Sequence, residues 1–157
     1  RDKEEIYELV KNEIINLNKE IKKNGWNVKL APETTGKESQ FGTLDELKRL
    51  AKETGCFFCI DPAHIYARDI GKIDYKEVLD KVKEYKTLHF HFSNLTFTKK
   101  GERNHINMDH SPDFNGLAKE ILKRKINCSI VSESPCTWED SLKQKMIFQK
   151  LGYKFEL

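Results

Sequence analysis

The sequence lacks the features that mark membranes, multidomain chains and disulfide scaffolds. No apolar run in its 157 residues approaches the roughly 18 that a membrane-spanning helix needs. There is no low-complexity linker and no charge run long enough to mark a boundary, so residues 1–157 read as part of one domain. The N-terminus, RDKEEIYELV, is charged and helix-like, unlike a secretory leader. Cysteine is limited to four residues. Cys56 and Cys59 form a C-x-x-C, but Cys128 and Cys136 supply no second close pair, which argues against an all-cysteine zinc site. Buried free thiols in a cytoplasmic protein are the expectation. Neither sign of charge dominates: 28 Lys and Arg against 25 Asp and Glu leave a net +3, which permits an anionic partner without demanding one.

What is present is a strict alternation of helical and extended segments. Ile6, Val10, Ile14, Ile15, Leu17 and Ile21 recur at helical spacing over about residues 3–24, and Asn24-Gly25 stops that helix. Residues 28–31 read as a short strand closed by Pro32-Glu33. Thr43 and Glu46 form a capping box before LDELKRLAKETG. Strands follow at 57–60, 87–92 and 128–132. Asp74 opens a helix running to about Tyr85. Ser111-Pro112 reads as a cap with proline at the first helical position, and Thr137 as the cap of the last helix. Residues 93–110 read as a long polar loop. Short apolar strands alternating with helices predict a parallel α/β sheet layered by helices.

Each strand hands over to its loop through a potential metal ligand. These are Glu33 in VKLAPETTG, Asp61 and then His64 in FFCIDPAH, His91 in LHFHFSN, and Glu133 in CSIVSES. The long loop adds His105. In parallel α/β folds, functional groups collect at the carboxyl ends of strands, where the loops converge. One such residue could be incidental: Asp61 before Pro62 suits a turn, and His64 or His105 suits a surface loop. All the strands ending this way is much harder to reach by chance. His89 and His91 share a strand face, and His91 is the better ligand because it lies nearer the strand end. Glu133 follows an apolar run, where an unpaired carboxylate is costly. A mixed carboxylate and imidazole set suits zinc, manganese or iron better than calcium or magnesium.

These segments resemble the endonuclease IV-type apurinic/apyrimidinic endonucleases, within the xylose isomerase-like barrels. APETTG is similar to that family's Glu-Asn-Thr-Ala-Gly segment, CIDPAH to Asp-Thr-Cys-His, HFSN to His-Leu-Asn-Asp, RNH to Asp-Arg-His and SESP to Glu-Thr-Pro. The resemblance implies that Glu33 bridges two metals and that Asp61, His91 and Glu133 complete one of them. His64 and His105 would hold a third. It also implies zinc, two or three ions with manganese as the other candidate, and a metal-bound hydroxide that cuts duplex DNA 5′ to an abasic site. Glu33 and Glu133 would be the catalytic carboxylates. The family's third-metal aspartate falls at Arg103, which cannot ligate and is assigned instead to substrate phosphate. A sugar or sugar-phosphate isomerase of the same superfamily would use Glu33, Asp61, His91 and Glu133 on one metal. A non-catalytic interaction module is the third reading.

The resemblance implies a TIM (β/α)8 barrel of which this chain supplies about the last four βα units. A complete barrel usually takes roughly 250 residues. Unclosed strands invite pairing. The implied partners are therefore the N-terminal half of the barrel, or a second copy of the chain, together with abasic DNA and no membrane.

Overall fold

The structure, a computed structural model, describes residues 2–155. Helix α1 spans Lys3–Asn24, α2 Leu44–Thr54, α3 Pro62–Arg68, α4 Tyr75–Asp80, α5 Phe114–Arg124 and α6 Thr137–Lys150. The strands are β1 Cys59–Ile60, β2 Thr87–Phe92, β3 Asn94–Thr98, β4 Gly101–Ile106 and β5 Asn127–Ser132. None of the helices is long and apolar enough to cross a membrane.

Local chemistry explains most of the boundaries. Gly25 and Gly55 close α1 and α2 in left-handed conformations that a Cβ would disfavour. The capping box at the start of α2 forms as the sequence predicts, with Thr43 accepting from the Glu46 amide while Glu46 reaches back to the Thr43 amide. Asp74 caps α4, which ends at Asp80, short of the expected Tyr85. Asp113, not Ser111, caps α5, through both carboxylate oxygens. Thr137 does not cap α6. Its own φ is positive, and Ser134 takes the Cys136 amide instead.

β1, β2 and β5 form one parallel sheet in that order. Register sets Cys59 beside His89 and His91 beside Val131. The strand expected at 28–31 is only partly regular. The chain runs beside β1 through the Phe57 amide to the Leu30 carbonyl and the Cys59 amide to the Pro32 carbonyl, and ends in a parallel bridge between Glu33 and Cys59. A proline at position 32 has no N–H to donate, which limits the ladder there. The loop expected after β2 is instead an antiparallel hairpin, β3 with β4.

Alternation along β2 separates two faces. Leu88, Phe90 and Phe92 are buried against Leu47, Leu79, Leu117, Ile121 and Phe148 of the helices, which makes the main core. Thr87, His89 and His91 take the opposite, less buried face. The described residues form no closed barrel: the far edge of β5 pairs with no strand among them.

Asp140, on α6, is fully buried and ties this helix to the segment before α5. Its Oδ2 accepts from the Met108 amide and from Ser134, and Lys143 lies 2.8 Å from Oδ1. Burial opposes its charge, but Lys143, Ser134 and the Met108 amide outweigh that and hold its pKa below the ordinary value. Its ionised form therefore stabilises the fold above the unfolded-state pKa, and that contribution is lost as pH falls through the lower folded value. Asp140→Ala should cost about 1–3 kcal/mol at neutral pH in urea titrations, because it strands two donors. It should also flatten the acid limb of the stability profile. An unchanged urea midpoint would refute this role.

Candidate metal centre

The carboxyl ends of the parallel strands bring the expected residues together. Glu33 arrives at the bridge to Cys59. Thr34, next to it and buried, donates to the Asp61 carbonyl and accepts from the Asp61 amide, which locks the two strand ends in register. Arg68 of α3 holds the following loop by hydrogen bonds to Thr35, Glu38 and Gln40.

Asp61 does two things at once. Its Oδ1 caps α3, accepting from the Ala63 and His64 amides at 2.6 and 3.1 Å. Its Oδ2 is buried without any hydrogen-bond partner. The turn-forming reading and the ligand reading of this residue are thus compatible, one oxygen for each. Because α3 starts directly after Asp61, His64 sits on its first turn and is mostly buried, not on an open loop.

His91 stands between two carboxylates, its Nδ1 3.0 Å from Glu33 Oε1 and 2.9 Å from Glu133 Oε1. His89 points to the same face but bonds Ser129 Oγ at 2.7 Å, outside the carboxylate pair. His105 enters from β4, with Nδ1 2.9 Å from Ser93 Oγ and 3.9 Å from Glu133 Oε2. His64 Nε2 and His105 Nε2 are 3.4 Å apart. Ligand atoms of Glu33, Asp61, His64 and Glu133 lie within 4.8 Å of one another, and so do those of His64, His105 and Glu133.

Arg103 is exposed on β4 and does not enter this cluster. Glu102 does: its Oε2 lies 3.1 Å from His64 Nε2. Sequence reasoning passed over it, because a glutamate in a polar stretch carries no periodic signal. Only the pairing of β3 with β4 brings it in.

The electrostatics show a site short of positive charge. Burial is the main cause that raises the Glu33 pKa. His91 offsets part of this, while Asp61 and Glu133 add to it. Burial likewise pushes Asp61 up against the opposing pull of His64 and the two capping amides. Burial would depress His64, but Asp61, the Thr34 carbonyl, Glu102 and Glu33 together hold it above its ordinary value. An orphaned, fully buried carboxylate oxygen amid imidazoles and further carboxylates fits a divalent cation, which would supply the missing charge and reverse these shifts. A separate groove lies beside β5 and α6. It is lined by residues such as Ile130, Trp138, Leu142 and Phe148 and has no such ligand cluster among the described residues.

A parallel sheet covered by helices, with polar ligands gathered at the carboxyl ends of its strands, defines the α/β class whose sites are built by the loops after the strands. Within that class, the chain belongs to the xylose isomerase-like TIM barrel family, which it matches over residues 2–150. That family includes both abasic-site endonucleases and sugar isomerases. The chain is also 34% identical over 153 residues to an uncharacterized protein of Methanocaldococcus jannaschii. The match covers 90% of this chain and 56% of the relative, so the chain spans little more than half of that protein's length. No solved structure matches it.

The cysteines are free, with Cys56 and Cys59 buried and Cys128 and Cys136 half-buried. Burial, with Glu33 close by, pushes the Cys59 thiol far up, and burial alone raises Cys128 to about 11. Iodoacetamide at neutral pH should therefore spare Cys56 and Cys59 in the native protein and alkylate them once denaturant is added. Rapid native labelling of Cys59, read by peptide mass spectrometry, would contradict the packing described here.

Proposed function

We propose that this chain carries the strand-end metal centre of a zinc-dependent DNA-repair endonuclease that hydrolyses the phosphodiester 5′ to an abasic site. One observation carries the reading. Two of the ligand groupings overlap, Glu33-Asp61-His64-Glu133 and His64-His105-Glu133, joined through His64 and Glu133, while His91 groups with Cys59 and His89 beside them. A site for one ion needs only the first set. Two sets suit the several cations with which nucleases hold the attacking and leaving oxygens of a phosphate.

Zinc, with manganese as the alternative, suits the mixed imidazole and carboxylate donors, and when bound would supply the positive charge and the activated water for phosphodiester hydrolysis. The chain's own residues do the rest. Glu33 and Glu133 both bring a carboxylate oxygen to His91 Nδ1 and so fix its ring. Asp61 offers its free oxygen while its other oxygen is anchored to the start of α3. Exposed Lys99, Lys100 and Arg103 on the hairpin are available to the phosphates of duplex DNA. The open edge of β5 and the less buried face of the sheet would be completed by further βα units of the same barrel, or by a second copy of the chain.

The test is nicking of an abasic-site duplex by the full-length protein. Chelation should abolish it. Glu133→Gln should reduce it by at least about 100-fold, since it removes a shared ligand and its charge, with little change in thermal unfolding. Full activity in that variant rejects the assignment. Turnover of a sugar phosphate without cleavage of abasic DNA would replace the nuclease with the isomerase, for which Glu33, Asp61, His91 and Glu133 on one ion suffice.

A further inference from the structure

Residues 102 and 105 are three apart on β4. In a regular strand they would face opposite sides, because side chains alternate. Here they face the same side. Leu95 pairs with His105 and Thr96 with Asn104, but Phe97 pairs with Glu102, so Arg103 is the extra residue of a β-bulge. Leu95 and Phe97 pack on Ala63 and Ala67 of α3. Their partners His105 and Glu102 are thereby both turned toward His64 on the same helix.

The protonation of His64 is decided by its other nitrogen. Nδ1 lies 2.7 Å from the Thr34 carbonyl, which can only accept, so Nδ1 carries a hydrogen. In the neutral ring Nε2 then presents a lone pair. That lone pair faces His105 Nε2 at 3.4 Å and Glu102 Oε2 at 3.1 Å. The approach of Glu102 is close, yet its angles make no hydrogen bond, and Oε2 is buried without a partner. A Cβ at Gly36 would overlap the Glu102 carboxylate, so the glycine leaves the room this side chain occupies. Glu102 and His105 thus both approach the same His64 nitrogen, and the buried Glu102 oxygen has no hydrogen-bond partner there.

We propose that Glu102 is a ligand of a divalent cation shared with His64 and His105, brought into place by the bulge at Arg103. This rests on the metal-dependent reading above and adds Glu102 to the His64–His105 pair of its second set. Two imidazoles and a carboxylate are a zinc-type donor set. Arg103, displaced to the exposed side, carries no ligand role. The bulge moves the carboxylate duty one residue along the strand, to a position that sequence spacing alone does not reveal.

The experiment measures zinc bound per chain in the full-length protein, by equilibrium dialysis with elemental analysis and by competition with a chromogenic chelator. Glu102→Gln should lose one zinc per chain, or weaken one class of zinc by about 10–100-fold, the range expected when a metal's shell is disturbed. The remaining zinc should be held as in the wild type. Gly36→Ala, which displaces Glu102 without changing it, should reproduce the loss, and it decides the matter if Glu102→Gln does not fold. Arg103→Ala should keep the full stoichiometry. Wild-type stoichiometry and affinity in Glu102→Gln, or in Gly36→Ala if only that variant folds, would overturn this assignment alone. A wild-type protein that binds no zinc would overturn the metal-dependent function with it.

Discussion

Burial of carboxylates without enough donors is the constraint around which the strand ends are organised. Asp61 is fully buried and satisfies one oxygen on the amides of α3, leaving the other bare. Glu33 and Glu133 both approach the same His91 nitrogen, which has at most one proton to offer. His64 turns its Nε2 toward Glu102 and His105. A protein interior tolerates such an arrangement poorly unless positive charge enters it. Such a cluster has the chemistry of a cation site, since a bound cation relieves the mutual repulsion of the groups around it.

The scaffold makes that arrangement affordable by fixing each ligand through something other than the ion. Thr34 couples the ends of two extended segments. The Thr34 carbonyl orients His64, Ser93 lies in hydrogen-bond reach of His105, and α3 orients Asp61. Behind them the faces of β2 do opposite work, with Leu88, Phe90 and Phe92 cementing the helices while His91 is left free on the other side. Backing of this kind reduces the entropy lost on binding, and outer contacts are known to govern metal affinity as strongly as many ligands do.

The hairpin of β3 and β4 extends the site beyond what a plain run of βα units would provide. It packs on α3 through Leu95 and Phe97 and delivers residues to the cluster from a second direction. Exposed cations on the same hairpin lie outside the charge-poor interior.

The sequence by itself determined the mixed α/β character, the two glycine stops, the capping box of α2, and which side chains stand at the strand ends, because each is a matter of periodicity, capping chemistry or position. The belonging to the barrel family was legible in the same motifs. What the tertiary structure decided was everything that depends on partners distant in the chain. Residues 93–110 read as a loop because their polarity hides an antiparallel pairing whose apolar contacts, Leu95 and Phe97, are few. Asp113 displaced Ser111 as a cap, and α6 starts after Cys136 with no side-chain cap, because neighbouring geometry, not residue type alone, decides which oxygens reach the amides. Glu102 came to lie beside His64 while Arg103 stayed exposed, because one extra residue in a strand reverses the side on which every later side chain emerges, and a bulge exists only in the pairing of two strands.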